Sequence, residues 1–256
     1  MSPMIVNWYI FFVGMCIGSF LNVCIYRLPM GKSILRPASA CPVCDSPIHW
    51  YDNIPLISYM LLRGRCRKCK TPISIRYPIV ELLCGLFALT SWTRLGGGLP
   101  AVIYFIFIAA LLMITFIDID HRIIPDFISL PGIPMGFLAS FILPQLEWSD
   151  SLIGILVGGG SLLAIAWGYQ LISGKDGMGG GDIKLLAMIG AFLGWKGVFF
   201  TIMASSLIGT IVGIILMLRA GKGMKMAVPF GPFLSIGAII YLFFGPQLIA
   251  WYFHLL

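Results

Sequence analysis

Residues 100–126 read PAVIYFIFIAALLMITFIDIDHRIIPD, from Pro100 to Asp126. The first eighteen carry no charge, close to the roughly 20 apolar residues that a helix needs to cross a bilayer. Three aspartates then fall within nine residues: Asp118, Asp120 and Asp126. A membrane-spanning helix that ends on clustered carboxylates is the feature from which the rest of the chain is read.

Outward from it, apolar stretches recur near residues 4–26, 78–93, 127–146, 151–172, 183–195, 197–218 and 228–254. With 59% apolar and 11% charged residues among 256, and a mean hydropathy of +0.97, a soluble globular domain is excluded. The expected architecture is an all-α polytopic membrane protein with about eight transmembrane helices. Residues 1–26 form the first helix, 27–77 a loop domain and 78–256 a seven-helix body. Because the first apolar stretch lacks the basic start of a secretory signal, it is expected to be a retained helix.

The formal net charge is +7, and residues 27–77 hold nine Lys/Arg against Asp45 and Asp52, so this loop carries the whole excess. Basic loops stay cytoplasmic, which predicts the N-terminus outside and the loop inside. Threading eight helices from there puts Arg122, Lys175, Lys184, Arg219, Lys222 and Lys225 inside too, with only Arg94 and Lys196 outside. The natural partner of such a loop is anionic lipid rather than nucleic acid, since it is anchored in a bilayer at both ends.

Within the loop stand Cys41-Pro-Val-Cys44 and Cys66-Arg-Lys-Cys69. Two C-x-x-C pairs at this separation match a zinc ribbon, in which four thiolates close a tetrahedral and therefore structural Zn²⁺ site. Disulfides or free thiols are the alternatives, the former disfavoured by a reducing cytosol. His49 reads as an ordinary polar residue, and Cys16, Cys24 and Cys84 as small core residues on apolar helices. Gly158, Gly159 and Gly160 read as a close helix-packing surface.

Carboxylates are expensive in a bilayer and mark function. Asp182 closes the glycine-rich run Gly177-Met-Gly179-Gly180-Gly181-Asp182, on the same predicted face as Asp118. Two close carboxylates cannot both ionise comfortably, so one holds a proton while the other acts as base, a pair able to activate water against a peptide carbonyl. The glycines allow close approach of an extended chain. Against this, an aspartate at a helix start can be an N-cap; that is the preferred reading for Asp126, and for Asp182 cap and catalyst remain equal. The same aspartates also suit a proton- or cation-coupled transporter, although such sites usually lie near the midplane on interrupted helices.

Taken in order, Gly18-Ser-Phe-Leu-Asn22-Val with Arg27-Leu-Pro29, both cysteine pairs, Arg76-Tyr-Pro78 before Glu81-Leu-Leu83, Asp118-Ile-Asp120 through Pro125-Asp126, Gly179-Gly-Gly181-Asp182-Ile-Lys184-Leu185, and Pro229-Phe-Gly231-Pro232-Phe233 resemble the bacterial type IV prepilin peptidases. The resemblance implies an inner-membrane aspartyl endopeptidase that removes the basic leader of prepilins and pseudopilins at the cytoplasmic face. It implies Asp182 and Asp118 as the catalytic pair, with Asp120 the rival of Asp118, since two residues along a helix turn a side chain by about 200°. Gly179, Gly181 and Lys184 are expected to orient the substrate. It further implies N-methylation of the new terminus with S-adenosylmethionine, for which Asn22, Arg76 and Glu81 are the candidate residues.

Overall fold

A computed structural model describes residues 2–174, 179–220 and 229–254. Lys175, Lys222, Lys225 and the Gly177–Met178 part of the glycine run lie outside the described residues. Among the described residues there are eight α-helices: α1 (Pro3–Arg27), α2 (Ile57–Leu61), α3 (Arg76–Arg94), α4 (Gly98–His121), α5 (Asp126–Ala139), α6 (Trp148–Ser173), α7 (Gly180–Ala220) and α8 (Gly231–His254). No strand occurs among the described residues. Each of the eight expected apolar segments contains helix, but the one at 127–146 is helical only to Ala139. The sixth and seventh are the two arms of α7, which changes direction at Gly194, where φ is 69° and ψ is 178°. Side chains disfavour that left-handed φ, so a glycine stands at the bend. Among the described residues five helices, α1, α4, α6, α7 and α8, are long and apolar enough to cross a membrane. The short α2, inside the cysteine loop, has no counterpart in the periodic pattern, since five residues are too few to show one.

The chain divides into two compact units, Met1–Met113 and Ile114–Leu256, with the boundary inside α4. In the first, α1 packs on α3 through small residues. A Cβ on Gly14 would come within 2.6 Å of the Ala88 side chain, and one on Gly18 within 2.7 Å of the Glu81 Cα. The four-residue spacing of Gly14 and Gly18 puts both on one face, the usual device for close helix approach in a bilayer.

In the second unit, α5, α6 and α8 each pack against α7. The first arm of α7 is enclosed, with Leu185, Leu186, Met188 and Ile189 all buried. The second arm exposes Met203, Leu207, Ile211 and Leu218, as a lipid-facing helix does. Of the three adjacent glycines on α6, Gly158 alone bears out the close-packing expectation: its Cβ would meet the Leu186 carbonyl oxygen at 2.5 Å. Gly159 faces Ala187 at an ordinary 3.4 Å and Gly160 faces open space, because only one residue in three or four can point at a single neighbour. Of the lone cysteines, Cys24 and Cys84 are buried as expected, whereas Cys16 is exposed.

Candidate active site and metal centre

Asp118 lies three residues from the end of α4, and Arg122, with φ at 56°, breaks the helix immediately after it. A non-glycine residue in the left-handed region turns the chain sharply; Ile123, Ile124 and Pro125 then lead into α5. Asp118 is 5% exposed while Asp120 is exposed, so the two point to different surroundings, as their helical spacing requires. The Asp118 Oδ2 accepts a hydrogen bond from the Gly231 N–H at 3.0 Å, at the first residue of α8. The unsatisfied amides and positive dipole end of a helix N-terminus favour a carboxylate there.

Asp182 falls inside the first turn of α7 rather than before it, with its N–H donating to the Gly179 carbonyl at 3.2 Å. A Cβ on Gly181 would come within 2.8 Å of Ile124 Cβ, and one on Gly231 within 2.6 Å of Asp118 Oδ2 and 3.3 Å of Ile124 Cδ1. Ile124 is therefore the hub against which the α4 end, the α7 start and the α8 start are set, and Asp118 and Asp182 are within electrostatic reach of one another around it. Gly181 leaves room for Ile124 rather than for an incoming chain. Among the described residues a Cβ on Gly180 would meet nothing within 4 Å, and one on Gly179 only Asp182 Oδ2 at 3.9 Å, so this end of the glycine run is the less crowded.

Lys184 Nζ lies 2.8 Å from both carboxylate oxygens of Asp126. Asp126 is thus the first residue of α5 and an ion-pair partner, not the N-cap that the sequence favoured; Pro125 occupies the cap position with no side-chain hydrogen bond. A partner brought from 58 residues away is invisible to a local capping argument. Gly231 had been noted in the Pro229–Phe233 motif without a role. Its signal was a glycine between Phe230 and Pro232 at a helix start, where no turn required one.

In the first unit the four cysteine Sγ atoms lie within 4.8 Å of one another, with Cys41 and Cys69 at 3.7 Å. Tetrahedral thiolates about 2.3 Å from one ion stand about 3.8 Å apart, so the cluster fits a single metal ion. The two knuckles are built alike. Asp45 N donates to Cys41 O at 2.9 Å and Lys70 N to Cys66 O at 3.1 Å. Asp45 and Lys70 both have left-handed φ, and each knuckle closes on an isolated antiparallel bridge, Ala40 with Pro47 and Arg65 with Pro72. A hydrogen bond with Thr71 Oγ1 holds the Cys69 thiol down at about 6, while, against a hydrogen bond from the Ser46 backbone, burial and the neighbouring thiols push Cys44 up to about 11. Arg67 makes a bidentate pair with Asp52, at 2.6 and 2.8 Å, tying the second knuckle to the loop. His49 stacks on Tyr51 and is not among the clustered ligands.

Glu81 and Asn22, named from the resemblance, are both buried on the facing surfaces of α3 and α1. Glu81 Oε2 accepts from Leu56 N–H at 2.9 Å, and Asn22 Nδ2 donates to the Tyr77 carbonyl at 3.1 Å. Arg76 is the first residue of α3, one turn before Val80 and Glu81.

Residues 12–95 match the family model of the bacterial peptidase A24 N-terminal domain, and residues 105–214 that of the type IV leader peptidase family. A prepilin leader peptidase/N-methyltransferase of Aeromonas hydrophila is 37% identical, over 95% of this chain and 92% of its own length. The chain belongs to the prepilin leader peptidase family. Family members so named in Neisseria gonorrhoeae and Myxococcus xanthus are 38% and 40% identical, over 87% and 64% of their lengths. No solved structure gives a significant match. None of these prepilin peptidase relatives is a transporter by name, and that alternative finds no support.

Proposed function

We propose that this protein is an integral inner-membrane aspartyl endopeptidase that cleaves the leader of prepilins and pseudopilins and then N-methylates the new terminus. The observation that carries the proteolytic half is the convergence of Asp118, Gly231, Ile124, Gly181 and Asp182. A buried carboxylate oriented by a backbone N–H, within electrostatic reach of a second carboxylate, suits a pair that shares one proton and activates water. Asp118 and Asp182 are the catalytic residues in this reading. Gly231 orients Asp118, while the less crowded end at Gly179 and Gly180 receives the extended chain. Gly181 admits Ile124, and Lys184 acts through Asp126 to hold the α5 and α7 starts together. Since a Lys184–Asp126 pair of this exposure contributes little stability, its role is in placement.

The basic loop carries one structural Zn²⁺ on Cys41, Cys44, Cys66 and Cys69, rests against anionic lipid headgroups, and lies with the carboxylates on the cytoplasmic side, the N-terminus being outside. The methyl donor is S-adenosylmethionine, which supplies an electrophilic methyl group on a sulfonium. Asn22, Arg76 and Glu81 serve that transfer in the first unit, where the buried Asn22 Oδ1 lacks a hydrogen-bond partner and so is fit for a ligand.

Purified enzyme with either Asp118→Asn or Asp182→Asn is expected to lose leader cleavage of a prepilin, while Asp120→Asn retains it. Cleavage by either of the first two removes the proteolytic assignment. Mass spectrometry of the product tests the second half, which falls if the cut chain is unmethylated in the presence of the donor.

A further inference from the structure

The two cysteine knuckles repeat one another in backbone but not in charge. Cys41 N–H donates to the Ser46 carbonyl at 2.9 Å as Cys66 N–H does to that of Thr71 at 2.8 Å. Ile48 N–H donates to the Ser39 carbonyl at 2.8 Å as Ile73 N–H does to that of Gly64 at 2.7 Å. Either sequence therefore serves the turn and its thiols equally well. Yet at the positions three before, one before and four after the first cysteine, one knuckle has Ala38, Ala40 and Asp45 and the other Arg63, Arg65 and Lys70. The knuckle fold does not require those cations. Lys70 even adopts a left-handed φ of 60°, a region that aspartate, as at Asp45, fills more readily.

Arg63, Arg65 and Lys70, with Leu62, line a cavity of about 360 Å³, a size that falls within the range of about 300–1,000 Å³ typical of small-ligand sites. Among the described residues none of the three cationic side chains makes a hydrogen bond or ion pair, whereas Arg67 in the same knuckle is held by Asp52. Like charges gathered around one space repel one another until an anion enters. Four thiolates on a divalent ion would carry two negative charges, too few to absorb the +7 excess of the loop. A bound metal therefore does not account for the three cations.

The chain that enters this cavity is apolar and lies beside a membrane-crossing helix. Met60 and Leu61, at the end of α2, are 67% and 77% exposed and run directly into Leu62. Before them, Leu56 has φ 58° and ψ −47°, and Ile57 N–H donates to the Pro55 carbonyl at 2.6 Å. This is the positive-φ sense of γ-turn, rare and strained for a residue with a side chain, and such strain persists only where the surroundings enforce it. Here Leu56 N–H is held by Glu81 Oε2 on α3 at 2.9 Å, and Asn53 and Pro55 share the wall of a smaller cavity with Cys16, Ser19, Phe20 and Val23 of α1. Those α1 residues fall inside its membrane-crossing length. The turn thus lays α2 along the flank of α1, with exposed apolar side chains at the depth of an interface and cations next to them, the arrangement of interfacial membrane contacts. We infer that Arg63, Arg65 and Lys70 bind the phosphoryl group of an anionic phospholipid, whose acyl chains lie along Met60 and Leu61. The inference rests on the lipid-contact reading of the basic loop above and confines that contact to one knuckle. Arginine forks match pairs of phosphate oxygens, and the lysine adds a point charge. A free phosphate would satisfy the cations but leave Met60 and Leu61 uncovered.

The test uses full-length, zinc-loaded protein in an uncharged detergent. It is titrated with fluorescent phosphatidylglycerol or phosphatidylcholine of the same chains, and inorganic phosphate serves as competitor. Wild type is expected to prefer phosphatidylglycerol by about tenfold or more. Replacing Arg63, Arg65 and Lys70 together by glutamine should weaken it by about 10²-fold, roughly fivefold for each cation near a lipid surface. Arg63→Gln alone, outside the cysteine pair, should give about fivefold. Replacing Lys32, Arg36 and Lys68 by glutamine removes the same charge from elsewhere in the loop and should cost less than about fivefold in all. Leu61→Ser should weaken the lipid and leave phosphate competition unchanged. Zinc content is read for every variant. Equal weakening by the two triple variants, or none by the first, overturns the inference and leaves a diffuse contact between loop and lipid standing. If lipid is lost only where zinc is shed, the cations serve the thiolates and the inference is likewise overturned. Phosphate that displaces the lipid at equal concentration, with Leu61→Ser silent, makes the occupant a free phosphate and overturns the lipid assignment. Wild type with no preference between the two lipids overturns the inference together with the reading on which it rests.

Discussion

The cysteine loop and the bundle around α7 reach a defined structure by opposite means. Between Leu28 and Ile75 only Cys41, Pro55 and Ser58 are buried, so the loop has almost no apolar core. Its order comes from matched knuckles, the Arg67–Asp52 pair and the hydrogen bond from Leu56 to Glu81. In the second unit, by contrast, the first arm of α7 is enclosed by apolar side chains and by glycines that admit neighbouring backbone. A region without a core but with four clustered thiols would depend on a metal bound there; one packed through glycines depends on volume. Each should therefore fail to a different insult.

The largest effect should come from the carboxylate end of the bundle. Gly231→Ala puts a methyl within 2.6 Å of Asp118 Oδ2, so the carboxylate must shift, and a misplacement of about 1 Å costs roughly 10²-fold in rate. Leader cleavage should fall accordingly while methylation of a pre-cut chain persists, and equal loss of both would blur the contrast between the units. Next is metal removal. Chelation, or Cys66→Ser, should expose residues 28–75 to limited proteolysis and lower methylation by about tenfold or more, leaving the helical circular-dichroism signal nearly intact. A loop that resists protease after its metal is stripped means the polar links suffice alone.

Packing gives a smaller contrast within one helix. Gly158→Ala drives a methyl against the Leu186 carbonyl and should destabilise the bundle by about 1–3 kcal/mol. Gly160→Ala meets nothing and should be neutral or stabilising by up to about 1 kcal/mol through helix propensity; thermal unfolding in detergent reads both. The smallest effect belongs to Asp52→Asn, because Arg67 is 57% exposed and solvent screens such pairs strongly. Arg67 holds the Asp52 carboxyl below its ordinary range. Its contribution is thus present at neutral pH and lost as the pH falls through that lowered value, so wild type and Asp52→Asn should converge in acid; a constant difference would exclude the pair.

Helix positions, the metal knuckles and the identity of the acidic residues were legible in the residues themselves, because hydropathy, C-x-x-C spacing and a charge in an apolar run are local signals. Asp118 and Asp120 were separable in kind by helical angle, yet which of them faced inward was not. The roles of Gly231, Ile124 and Leu56 were not legible: a glycine that clears a carboxylate 113 residues away, a packing hub in a loop and a strained turn have no periodicity. The capping argument for Asp126 failed for the same reason, since Lys184 competes for it from a distant helix start.

By itself the sequence determined that this chain lives in a membrane, where its charges accumulate and what chemistry its side chains can perform, since solvent partition and ligand type are properties of residues and short spacings. Only the tertiary structure decided which carboxylate is buried, what orients it and which acceptors stand without donors. Those are facts about neighbours remote along the chain, and they arise when helices close on one another.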